Sequence, residues 1–359
     1  MDEVKDTTAA PSPGAPASPE PATQPVYDRV PQPVEGLPEA KPPDAWKKVR
    51  KLALRQLDRF MSLEPKVLRG DDPDAIHDLR VASRRLQQIL DLLYPAPRPA
   101  EIRKLRRKIQ RCRRTLGEVR NCDVQLQRVD RTLRSKRTAR RESWEAVRHY
   151  LRQRRSENFQ KAARKLGKVN LAVFYVQLRE HLALSTGVSG FGRRSEPASE
   201  LGPEQFYERV AEALERVWHG IETQIAHSHR DSSAPVIHSV RIAAKRVRYL
   251  IEVIREFNVP GAAQTLARLR ALQQLLGDWH DLEVMEQMMI EMLARPQFLQ
   301  GHLQIAIGVA RLILRLRLNK ETHRQKYFRM TTDSEGYQQI RDWVAEVLAS
   351  PAGALGIAP

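Results

Sequence analysis

Residues 76–86, IHDLRVASRRL, return 161 residues later as IHSVRIAAKRV over 237–247, and a chain carrying that repeat must build the same element twice. His77, Arg80 and Arg84 stand at i, i+3 and i+7, and His238, Arg241 and Lys245 repeat them. On a helix advancing about 100° per residue, these three side chains share one face. Leu79, Ala82, Leu86, Ile89, Leu90 and Leu93 take the opposite face, as do Val240, Ala243, Val247, Leu250, Ile251 and Ile254 in the second copy. Both segments therefore read as amphipathic helices with one side in a core. A merely solvated outer face would mix charge signs, yet 237–249 holds no acid and 76–86 holds only Asp78. Shared ancestry of the two copies could also account for the recurrence.

A second repeat keeps nearly the same spacing. LGEVRNCDV at 116–124 returns as LGDWHDLEV at 276–284. Gly117 and Gly277 are expected to mark a helix end or a close backbone approach. Asp123 and Glu283 read as helix caps or partners of a nearby arginine, ahead of a metal-ligating role.

With these motifs in hand, the chain resembles the CHAD domain, the conserved histidine α-helical domain, over roughly residues 45–350. The resemblance implies an all-α fold of two tandem, related four-helix bundles. It also implies binding of inorganic polyphosphate along a basic groove, with no catalytic activity. Carried over by position, it points to His77, Arg80, Arg84 and Arg85, then to His238, Arg241, Lys245, Arg246 and Arg248. Gln87 stands where the family pattern and the second copy (Arg248) have a cation, so the first stripe is expected to hold anions less tightly.

Charge bounds the partner independently. Lys plus Arg number 61 against 43 Asp plus Glu, a net +18, which favours polyphosphate, nucleic acid or an anionic membrane surface. Of those cations only 15 are lysine, and arginine's planar fork can meet two phosphate oxygens at once. Arg103, Arg107, Arg111 and Arg114 form a further stripe opposite the apolar Ile102, Leu105, Ile109 and Cys112. The second copy replaces Arg103, Arg107 and Arg111 by Ala263, Ala267 and Ala271.

Residues 1–45 contain 11 of the 23 prolines and more acids than bases, and are expected to be a disordered tail that competes weakly for the basic groove. The first half-domain is assigned to 46–184, a linker to 185–203 and the second half-domain to 204–350. Helices are expected near 45–63, 73–93, 99–116, 119–138, 141–183 with a possible interruption, 204–228, 234–256, 260–276, 279–294, 300–328 and 335–349. The most apolar run, IAIGVARLILRLRL at 305–318, is broken by Arg311, Arg315 and Arg317, so no transmembrane segment is expected. Cys112 and Cys122 lack metal or redox spacing and read as free thiols of a cytoplasmic protein; association with polyphosphate granules is what the resemblance implies.

Two other classes follow from the same residues. Nonspecific nucleic-acid binding fits the charge, although the repeated stripes lack interleaved aromatics for base stacking. A metal-dependent phosphohydrolase would need a ligand set or phosphate-binding motif, and none is recognisable, so no cofactor and no metal are expected. Histidine charging as pH falls through about 6.5 predicts tighter polyphosphate binding at pH 6 than at pH 8. On that reading, replacing His77 and His238 together removes the difference.

Overall fold

The repeated segments form matching helices that bury the same apolar face. A computed structural model describes residues 45–135, 138–183 and 203–350. Among them the chain runs through α1 (Ala45–Arg69), α2 (Pro73–Leu93), α3 (Ala100–Thr115), α4 (Gly117–Leu133), α5 (Arg141–Leu166) and α6 (Leu171–Ala183). The second half continues with α7 (Pro203–Arg230), α8 (Ala234–Arg255), α9 (Ala262–Leu293), α10 (Pro296–Gly301), α11 (Leu303–Thr332) and α12 (Glu335–Ala349). The fold is all-α. The expected tail falls outside the described residues except for Ala45, which opens α1, and the expected linker does so except for Pro203, which opens α7.

Local sequence starts α2 and α8 alike. Pro73 and Pro235 occupy the first helical turn, where a missing N–H removes no intrahelical bond. Asp72 also accepts hydrogen bonds from the Asp74 and Ala75 amides, each at 2.9 Å. Ile76, Leu79, Ala82, Leu86, Leu90 and Leu93 are buried on α2, and Ile237, Val240, Ala243, Val247, Ile251 and Ile254 match them on α8. Each large aliphatic side chain so buried contributes on the order of 1.5–3 kcal/mol.

Two four-helix rings result. α1, α2, α3 and α6 pack in a closed circuit, and α7, α8, α9 and α12 pack in another, with α2 against α8 where the rings meet. Beyond the rings, α4 and α5 lie with the second part of α9 and the first part of α11. Their core draws on Cys122, Val129, Leu151, Leu282, Met285, Met289, Leu312 and Ile313, so both halves supply it. Met side chains suit such a seam because they fill irregular gaps.

The second motif folds differently in its two copies. Leu116, at φ −85° and ψ 5°, breaks the first copy into α3 and α4. The second copy instead runs unbroken as α9, so Gly277 marks neither a helix end nor a close approach, having no neighbour within 4 Å of a Cβ placed there. A mid-helix glycine is tolerated at roughly 1 kcal/mol relative to alanine. The run expected over 141–183 is interrupted at residues 167–170, between α5 and α6. Among the described residues no helix is long and apolar enough to cross a membrane.

Candidate anion site

The polar faces of α2 and α8 come together where the two rings meet. Arg84 lies close enough to Arg80, Arg113, Arg241 and Lys245 to act on the charge of each. Lys245 receives its strongest charge effects from Arg241, Arg84, Arg248 and Arg80, two arginines from each half. Burial first, and then this repulsion, push its ammonium down to about 6. Burial and surrounding arginines also push Arg80 and Arg113 each down to about 10. Several cations held partly out of water beside one another raise the free energy of the empty protein.

Arg80 is fixed by the helix break. Its guanidinium donates to the Arg113 carbonyl, the group that Gly117's N–H would engage in an unbroken helix. That carbonyl lies at the negative end of the α3 dipole, which favours a cation there. Gly117 lies beside that guanidinium, and a Cβ there would make an ordinary contact of 3.6 Å with Arg80 Nη1. In the second copy α9 offers no free carbonyl to Arg241. Asp281 acts on Arg241 instead, where the first copy has Asn121, and Arg241 Nε remains buried without a hydrogen-bond partner.

The histidines sit beside the second motif. His77 lies near Arg120, and partial loss of solvent, followed by the charge of Arg120, lowers its basicity. His238 packs against His280 with ring centroids 4.8 Å apart. Burial, followed by Arg241, His238 and Lys245, pushes His280 down to about 3. Burial and the charges of Arg241 and Lys245 lower His238 as well. Arg120 and His280 occupy one position of the LGxx(R/H) repeat, which marks them in the sequence although the helical stripes alone do not.

The departure at Gln87 is balanced by a neighbouring helix. Gln87 is buried, donates to the Arg106 carbonyl at 3.2 Å and accepts from the Arg113 guanidinium. The position that matches Arg113 in the second half is Gln273, while Gln87 is matched by Arg248. A cation and an amide have thus changed places between helices. Arg113 brings to the first half a charge beside Arg84 that Gln87 lacks.

Other expected site residues lie apart from this centre. Arg85 forms an ion pair of 2.9 Å with Glu252, which also faces Arg248 at 3.5 Å, so Arg85 ties α2 to α8. Arg246, the matching residue, is exposed and lends its field to Asp91, which Arg98 and Arg106 already hold at 3.0 and 2.6 Å. Arg103, Arg107, Arg111 and Arg114 are exposed along α3. Arg113, turned about 80° away from Arg103 around the helix, reaches Gln87 on α2, as Arg106 reaches Asp91.

The motif carboxylates are paired. Asp123 accepts from Arg155 at 2.5 Å, and Glu283 from Lys320 at 2.5 Å. Cys112 and Cys122 are free and buried, and burial pushes both thiols up to about 11. Among the described residues no three His, Cys, Asp or Glu side chains gather as a metal-ion site.

Comparison with known proteins agrees with this architecture. No curated protein matches the chain. The CHAD domain from the plant Ricinus communis is similar in structure, with a TM-score of 0.51 and 21% identity over 84% of this chain and 90% of that one. PptA from Streptomyces chartreusis has a TM-score of 0.51 and 15% identity, covering 83% of this chain and 99% of its own. At such identities these structures speak for the fold alone. The CHAD domain model matches residues 51–290, which spans both copies of both repeated motifs, and the chain belongs to the CHAD domain family.

Proposed function

We propose that this protein binds inorganic polyphosphate, without turning it over, in the cleft where α2 meets α8, and that this binding holds it at polyphosphate granules in the cytoplasm. The carrying observation is Lys245 standing among Arg80, Arg84, Arg241 and Arg248, which come from both halves of the chain. A ligand that satisfies this set must carry closely spaced negative charges, and it needs no bases to be read. Polyphosphate carries about one charge per phosphate, and helix faces present cations about every 5.4 Å. Its binding lowers the repulsion that the empty site stores, so affinity comes from charge neutralisation and counterion release. Family membership supports the same ligand class.

The test is a salt titration with long polyphosphate, short polyphosphate and duplex DNA side by side. Long polyphosphate is expected to stay bound against excess DNA at physiological salt, with log affinity falling linearly against log salt. Replacing Arg84 and Lys245 together by glutamine is expected to weaken binding at least about tenfold. Equal affinity for DNA, or an unaffected double variant, would assign the charge to nonspecific nucleic-acid binding. Incubation of polyphosphate with Mg²⁺ or Mn²⁺ and the protein is expected to release no phosphate, and release would make it an enzyme.

A further inference from the structure

Helix α11 is apolar on two sides, and packing explains only one. Val309, Leu312, Ile313 and Leu316 are buried in the core shared by the two halves, and Ala306 is buried as well. On the outward side Leu303 is 63% exposed, Leu314 58% and Leu318 71%, with Ile307 and Ala310 also exposed. These five positions fall within about 80° of arc and span about 22 Å of helix. Leu299 on α10 is exposed as well.

The duplication supplies an internal control. α5 holds the corresponding place in the first half, and its exposed positions over the same stretch are polar. They include Glu142, His149, Arg152, Gln153, Ser156 and Glu157. Helix formation and core packing therefore do not require leucine on the outward face of α11. A contiguous apolar stripe of this size marks an interaction surface.

Charge and shape select what meets it. No acidic residue occurs from 303 to 320, and the exposed Arg311 and Arg315 border the stripe along one side. A second copy paired by a two-fold axis across the stripe would set Arg311 against itself. Side chains as exposed as Leu314 and Leu318 form a ridge, which fits a deformable layer better than a rigid protein face. Leucines that enter the acyl boundary, with arginines reaching back to headgroup phosphates, describe a helix lying in a membrane interface.

We infer that the outward face of α11, from Leu303 to Leu318, docks the protein on an anionic lipid surface, with the helix parallel to the bilayer plane. This surface is separate from the α2–α8 site. A bound membrane would therefore leave the anion cleft open.

Co-sedimentation of the full chain with vesicles tests it. Vesicles of phosphatidylglycerol and phosphatidylcholine in equal parts are expected to bind the protein, and phosphatidylcholine alone much less. Leu314→Glu with Leu318→Glu is expected to lower the partition coefficient at least about tenfold, with helical content by circular dichroism unchanged. Arg84→Gln with Lys245→Gln is expected to retain vesicle binding at physiological salt. The inference fails if the wild type ignores the anionic vesicles, or if the leucine variant binds them as well as wild type. It fails equally if vesicle binding vanishes in the Arg84/Lys245 variant alone, which would place the lipid headgroups in the anion cleft. Light scattering of the same proteins gives one further outcome: a wild-type dimer made monomeric by the leucine variant would assign the ridge to self-association.

Discussion

Lys245 concentrates the chemistry of the site at one amine. In the unfolded chain it titrates at an ordinary lysine value, near 10.4, whereas in the folded protein burial and four arginines hold it at about 6. The unfolded state thus binds more protons between those values, so this residue makes the anion-free fold more stable as pH rises from about 6 toward 10. Lys245→Met is expected to stabilise the anion-free protein at pH 7 by about 1–3 kcal/mol, read as a higher midpoint in urea. A bound polyanion raises the amine's affinity for its proton. Polyphosphate binding is therefore expected to tighten as pH falls from 8 and to level off below about 6, where the free protein already carries the charge. Lys245 thus supplies a pH response of its own, while burial and neighbouring cations hold His77 and His238 below their usual range. Calorimetric titration across that pH range should show the slope surviving in His77→Ala with His238→Ala and shrinking in Lys245→Met.

Among the elements, α3 and α8 show how a duplicated unit redistributes its charge. Gln87 with Arg113 and Arg248 with Gln273 give each half one cation and one amide in exchanged positions. Arg113→Gln is expected to weaken polyphosphate binding by about 1–2 kcal/mol, comparable with Arg248→Gln, in the same salt titration. A loss confined to Arg248→Gln would show that α3 lies outside the ligand's path. Packing of α5 on α11 depends on a different residue. A Cβ at Gly308 would lie 2.0 Å from Ser143 Oγ and 3.2 Å from its Cβ, and Ser143 is buried. Gly308→Ala is expected to lower stability by about 1–3 kcal/mol in thermal unfolding, and adding Ser143→Ala should recover part of it. The break between α3 and α4, against the unbroken α9, goes with different partners for the two motif arginines. Asn121 leaves Arg80 to the Arg113 carbonyl, whereas Asp281 engages Arg241.

For the whole molecule, the proposed anion cleft depends on the two rings facing each other through α2 and α8. Arg85 with Glu252 joins them directly at 2.9 Å, so Arg85→Ala is expected to weaken polyphosphate binding by loosening the approach of the two stripes. Saturating polyphosphate should raise the unfolding midpoint of the full chain by mass action, and Arg84→Gln with Lys245→Gln should remove that rise. The sequence by itself determined the helices that bury one face, because a period of about 3.6 residues is written in the order of apolar side chains. It also determined the duplication and the residues His77, Arg80, Arg84, His238, Arg241 and Lys245, since these recur at fixed spacing. Arg120 and His280 were legible only as a repeated position, without a role. What Gln87 holds, why Arg113 turns inward while Arg103 does not, and how Gly277 passes through an unbroken helix were decided by the tertiary structure. The physical reason is that desolvation and charge repulsion depend on distance through space. Residues 80 and 245 become neighbours only after both rings have closed.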